Sequence, residues 1–247
     1  MSSGPSTTAV GGVPPIAQTL PQSDGMAAGV RAPAHSVDTG AASGRVRRVF
    51  KWLGNAVALG LAAVPALCSN LELRFTGGDE LFGFFGQAFG VAPGLPGKYL
   101  RRAYYYLTLE LCSLTCDIGF LSYCNDRRTR IGEGVYVGCG VSLGAVSLGA
   151  GSLIGSRASI LSGAHQHRFG PDGKLTAFDR ASASLTHIGE QTWIGEGAIL
   201  MADVGSRCIV AAGSVVATPV PDGCKVGGNP ARFIGKTTED NPQAGTT

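Results

Sequence analysis

Charge is scarce in this sequence. Asp, Glu, Lys and Arg account for 15% of its 247 residues, and an excess of three positive charges is too small to point to nucleic acid. The seven cysteines contain no CxxC pair. Cys112, Cys116 and Cys124 are wrongly spaced for a zinc site, and Cys139, Cys208 and Cys224 stand alone. Small buried thiols in a reducing compartment fit this pattern, with no disulfide, thiol nucleophile or metal site expected. Histidine is rarer still, at four residues, one of which (His35) lies in a segment without apolar pattern.

That segment, residues 1–44, is mainly Ser, Thr, Gly, Ala and Pro, and it is expected to be a disordered tail. It lacks the basic start followed directly by an apolar block that marks a secretory signal, so a cytoplasmic location is expected. A second disordered tail is expected over 237–247.

The basic residues Arg45, Arg47, Arg48 and Lys51 precede an apolar run from Trp52 to Cys68 in which Asn55 is the only strongly polar side chain. The run reaches the lower length limit for crossing a bilayer, but Asn55, two glycines and Pro65 weaken it as a span. The basic cluster suits a cytoplasmic flank or anionic headgroups. Three readings stay open: a short span, an interfacial helix, and a soluble helix packed on the rest of the fold. Membrane surface contact through 45–68 is accordingly one expected interaction.

Further on, Leu81–Phe85 is aromatic, Pro93 to Pro96 mark a turn, and a helix is predicted from Lys98 to about Cys112. Its stripe is Leu100, Tyr104, Leu107 and Leu111, with Arg101 and Arg102 off it. The whole of 45–124 is read as a helical region open to membrane association, and its stretch 80–124 as a helical lid on the first coil.

What the chain has in abundance is glycine, 38 residues without a collagen period. A sharp turn every few residues would explain it. Aliphatic residues fall at Ile131, Val137, Leu143, Leu148, Ile154 and Ile160, then at Ile188, Ile194, Leu200, Val204, Val210 and Val216. Glycine comes directly after most of them, and a small or β-branched residue comes four positions later. Neither an α-helix nor an alternating strand generates a period of six. A triangular coil does, with three short strands per turn and each aliphatic stacked on its copies. The predicted fold is therefore mainly β, a left-handed parallel β-helix of hexapeptide repeats over 125–236.

At this point the residues resemble the hexapeptide acyltransferases of the galactoside, xenobiotic and nodulation acetyltransferase type. The matching text is Ile188-Gly-Glu-Gln-Thr-Trp-Ile-Gly-Glu-Gly-Ala198, then Val210-Ala-Ala-Gly-Ser-Val-Val, then Gly227-Gly-Asn-Pro-Ala-Arg232. The stretch from Pro93 to Leu109 is similar to a branch concerned with capsule or exopolysaccharide acetylation. The resemblance implies an acetyl-CoA-dependent enzyme, a homotrimer with the co-substrate groove between neighbouring subunits, and a saccharide or lipid-linked saccharide acceptor.

The one long interruption of the repeat carries Leu161-Ser-Gly-Ala-His165-Gln-His167-Arg168 and runs as a polar loop to about His187. Acyl transfer from a thioester to a hydroxyl needs a base near neutral pKa and backbone donors for the developing oxyanion. By the family's pattern His165 matches that base, with His167 second and His187 structural. The resemblance also implies co-substrate contacts at Trp193, at the corner Ala212-Gly213, and at Arg232. Thr218 stands where a phosphate-binding lysine is common, so Lys225 or Lys236 could supplement Arg232. Between Trp193 and Ala212 the chain is two residues shorter than the common form, which places a flattened corner at Met201–Asp203. Two other readings remain: a metal-dependent hydratase of the γ-carbonic anhydrase type, and a non-catalytic trimeric scaffold.

Overall fold

The computed structural model describes residues 41–163, 169–176 and 183–240. Most of the expected N-terminal tail lies outside them, but Ala41–Gly44 already belong to a helix. Thr237–Asp240 form a 3-10 turn, and the rest of the expected C-terminal tail is outside the described residues.

Helices α1 (Ala41–Thr76), α2 (Glu80–Gly90) and α3 (Gly94–Thr108) precede a run of two- to five-residue strands arranged in three sheets, almost entirely parallel. The three sheets are the faces of a triangular prism. Face A stacks the inward residues Cys112, Ile131, Leu148 and Ile188, then continues through single bridges at Val204 and Val220. Face B stacks Ile118, Val137, Ile154, Ile194, Val210 and Val226. Face C stacks Cys124, Leu143, Ile160, Leu200 and Val216. These inward side chains are at most 8% exposed. Burying each aliphatic contributes roughly 1.5–3 kcal/mol relative to exposure, and only stacked neighbours can bury it. Successive turns are laced by backbone bonds such as Gly138 N–H to the Ile154 carbonyl and Gly155 N–H to the Ile194 carbonyl, both 2.8 Å.

The glycine after the inward aliphatic is required by the closeness of the next turn. A Cβ on Gly138 would come within 2.6 Å of the backbone nitrogen of Ser156.

The coil begins one turn earlier than expected. Strands Leu111–Cys112, Asp117–Ile118 and Tyr123–Cys124 form a complete first turn, so the helical region ends at Thr108 and not at 124. The spacing of six was present there, at Cys112, Ile118 and Cys124, but cysteine at two of the three inward positions masked it. The thiols serve as small apolar side chains.

Arg101 and Arg102, expected off the packed stripe of α3, are among its most buried residues, 2% and 6% exposed. The Arg101 guanidinium donates to the carbonyls of Phe89 (3.1 Å), Gly90 (3.3 Å) and Ala92 (2.7 Å) at the end of α2, and to Ile118 (3.0 Å) in the first turn. Arg102 donates to the Cys116 carbonyl at 2.9 Å and to Asn55 of α1. Tyr105 adds its hydroxyl as acceptor for the Cys124 N–H, 3.0 Å. The helical lid thus satisfies the exposed backbone at the coil's first turn. At the other end Cys224–Gly227 and the antiparallel strand Arg232–Lys236 form the cap.

Length varies along one edge only. The steps from face A to B and from B to C are all six residues: Cys112–Ile118–Cys124, Ile131–Val137–Leu143, Leu148–Ile154–Ile160, Ile188–Ile194–Leu200 and Val204–Val210–Val216. From C back to A they are seven (Cys124 to Ile131), five (Leu143 to Leu148), 28 (Ile160 to Ile188), four (Leu200 to Val204) and four (Val216 to Val220). The flattened corner expected at Met201–Asp203 is one of these short steps.

Candidate active site

The long interruption leaves the coil from the C–A edge between the third and fourth turns. Its neck is rigid. Gly163, buried and at φ +82°, donates its N–H to the Thr186 hydroxyl at 3.2 Å, and that hydroxyl donates to the Leu161 carbonyl at 2.7 Å. The Ser162 hydroxyl accepts from Ala145 N–H at 2.7 Å, and Ser184 donates to the Ser162 carbonyl at 3.4 Å. From two turns earlier on the same edge, Arg128 reaches the Ala183 carbonyl at 3.0 Å while held by the buried Asp126 carboxylate at 2.8 Å. That charge-assisted bond raises the Arg128 pKa above the usual arginine value.

These bonds hold both strands of the neck in place on the coil. Within the loop, Phe169 and Leu175 pair across a small turn closed by Gly170 N–H to the Lys174 carbonyl, 2.8 Å. The residues expected to do the chemistry, His165 and His167, lie outside the described residues.

His187 is exposed on face A. Its backbone is committed, with the N–H donating to Asp203 Oδ1 at 2.8 Å and the carbonyl accepting from Val204 N–H at 2.8 Å. Among the described residues no group of three or more His, Cys, Asp or Glu is placed to hold a metal ion.

Trp193 is 53% exposed on the outside of face B. It sits in an outward ladder with Tyr136, Leu153 and Ile209 in register below and above it. Ala212 and Gly213 form an exposed corner between faces B and C. The Gly213 N–H is spent inside the coil on the Glu196 carbonyl, 2.8 Å, so this residue can offer a ligand its carbonyl but not its N–H. Thr218 and Arg232 line one cavity of about 240 Å³ at the capped end, with Val216, Pro219 and Phe233. Trp193 and the Ala212 corner do not line it. The structure therefore pairs Thr218 with Arg232 and leaves the other co-substrate candidates on face B and its corner. Lys236 lies 3.3 Å from Cys224 Sγ, beside the ring of Phe233.

Of the seven thiols, five are buried, Cys68 is half-buried and Cys139 is exposed. Desolvation drives Cys208 upward, and Cys124 far upward; a mutual contact with Cys116 does the same to Cys112. Protonated, buried thiols of this kind are not nucleophiles.

Comparison with known proteins bears on the coil. No family model matches the chain. Serine acetyltransferase 4 of Arabidopsis thaliana is 36% identical over 115 residues, 46% of this chain and 29% of that protein. Serine acetyltransferase 2 of the same plant is 36% identical over 121 residues, 32% of its length. A maltose O-acetyltransferase from Clostridium difficile 630 shares the fold, with a TM-score of 0.53 at 18% identity over 63% of this chain and 84% of that one. Over less than half of its length the chain is thus similar in sequence to acetyltransferases, and its fold is shared with the maltose O-acetyltransferase. It spans less than a third of the length of the curated relatives it matches. The missed signals in this coil are the first turn, hidden by cysteine, and the gathering of every irregular step on one edge, visible only once three faces are assigned.

Proposed function

We propose that this protein is an acetyl-CoA-dependent O-acetyltransferase that acts on a hydroxyl of a saccharide or lipid-linked saccharide at the cytoplasmic face of a membrane, with His165 as general base. The observation that carries the reading is the single long loop, bearing two of the four histidines, anchored at a hydrogen-bonded neck on a rigid coil of hexapeptide repeats.

In the reaction, neutral His165 accepts the proton of the acceptor hydroxyl as its oxygen bonds to the thioester carbonyl carbon. The C–S bond then breaks, and the proton passes to the departing thiolate. No cysteine or serine beside His165 is cast as an acyl carrier, so transfer is direct. The exposed ladder at Trp193 and the Ala212 corner fit one wall of a co-substrate groove, and the cavity at Thr218 and Arg232 fits its phosphates. A homotrimer supplies the second wall from a neighbouring subunit.

The test is thiol release from acetyl-CoA by the full chain in the presence of candidate glycans. His165→Ala should lower turnover by about a hundredfold or more, and His167→Ala by much less. Undiminished turnover in His165→Ala would refute the assigned base.

A further inference from the structure

We infer that α1 docks in the plane of an anionic bilayer surface and does not cross it. The inference deepens the membrane contact just proposed and is independent of acyl transfer.

From Val49 to Thr76, α1 is long and apolar enough to cross a bilayer. It carries two opposite stripes. Ala58, Ala62, Ala66 and Ser69 are buried against the protein. On the far side Leu53, Val57, Leu61, Val64, Leu71 and Phe75 are 44–80% exposed. At about 1.5 Å per residue that apolar stripe runs roughly 33 Å, well beyond the scattered apolar residues of an ordinary surface. Its occupant is named by charge. Arg45, Arg47, Arg48 and Lys51 stand at one end, Arg74 at the other, and no acidic residue occurs in α1 before Glu72. Anionic headgroups beside hydrocarbon complement that pattern.

Crossing is opposed by what holds the buried stripe. Asn55 accepts from Arg102, Ser69 Oγ lies 2.9 Å from the Tyr104 hydroxyl, and Arg127 donates to the Ser69 carbonyl at 2.9 Å and to Asn70 at 2.8 Å. These bonds tie both ends of the stripe to α3 and the coil. A crossing α1 would carry Arg102 and Arg127 into hydrocarbon, where charged groups are expensive. Lying flat, the helix puts its far side in lipid and keeps its bonded side on protein.

The test uses the full chain with Trp52→Phe and Trp193→Phe, carrying one new tryptophan from Leu53→Trp, Val64→Trp or Phe75→Trp. Phosphatidylcholine vesicles, with or without phosphatidylglycerol, are prepared with brominated acyl chains. Partition should be at least tenfold higher on the anionic vesicles, and Arg47→Glu with Arg48→Glu should remove that gain. Quenching at 53, 64 and 75 should be equal and shallow. Deep quenching at 64 with shallow ends would overturn the inference in favour of a span. Absence of quenching, with a stripe variant such as Leu61→Glu dissociating a larger oligomer, would overturn it in favour of a second copy. If the vesicle results are as expected but the wild-type chain, with Trp193 intact, transfers no acetyl group, the acyltransferase reading alone fails.

Discussion

Arg101 Nε donates to the carbonyl of Ile118 at 3.0 Å, one of the bonds that join α3 to the first turn of the coil. The same guanidinium collects three carbonyls from the end of α2, where the helix dipole also favours a cation. Burial pulls its pKa below the usual arginine value, yet four acceptors keep the charge supported.

Arg101→Met should therefore destabilise the protein by about 3 kcal/mol or more, because it strands buried carbonyls as well as removing a charge-assisted network. Arg101→Lys should recover less than half of that loss, since one ammonium cannot reproduce the planar fork. Urea unfolding of the three proteins measures both. A loss below about 1 kcal/mol for the Met variant would mean water replaces the guanidinium.

The C–A edge should tolerate changes in length that the other two edges do not. Two glycines inserted after Ala202 lengthen a four-residue step toward the common form and should cost about 1 kcal/mol or less. The same insertion after Glu196 breaks the B–C step, displaces Leu200 from the inward stack, and should leave little soluble protein. Comparable melting temperatures for the two insertions would show that the edges are not distinct.

How much of this was legible beforehand depended on what stood at the inward positions. Where they were aliphatic, from Ile131 to Val216, the period of six sufficed to predict the coil. Where cysteine replaced them, at Cys112 and Cys124, the same period went unread. The helical lid was foreseen but its packing was not, since Arg101 and Arg102 are charged and nothing local announces that their partners are backbone carbonyls brought in from α2 and the coil. Third positions past the inward residue adopt positive φ, as at Gly140, Gly197 and Gly213, and four corners place Leu121, Arg157, Gln191 and Arg207 there instead. A glycine count alone misses that corner position for this reason.

Alkaline pH should expose the lid's dependence on Tyr105. Its phenol is fully buried, and burial holds its pKa well above the ordinary value; burial shifts Tyr104 the same way. A raised folded pKa means the folded state keeps its proton longer. The stability this represents is fully present below an unfolded value of about 10 and is lost as pH rises past it. Unfolding free energy should hold steady from pH 7 to 9 and fall from pH 10 upward, less steeply in Tyr105→Phe. Phenolate absorbance tracking these two rings should appear only together with unfolding. Its appearance near pH 10 in folded protein would show that the rings are open to solvent.

Trp193 offers the sharpest separation of scaffold from site. Its ring is half exposed in a ladder of Tyr136, Leu153 and Ile209, while the coil behind it is packed by Ile194. Removing an exposed ring from such a surface should change stability by less than about 0.5 kcal/mol. If the ring is one wall of the co-substrate groove, Trp193→Ala should raise KM for acetyl-CoA about tenfold with kcat little changed, the signature of binding lost equally in ground and transition states. A second measurement is available because the chain has two tryptophans. In Trp52→Phe, Trp193 is the sole fluorophore, and coenzyme A should quench it. A lowered melting temperature with unchanged KM would make the ring a packing residue between subunits, and would move the groove away from face B.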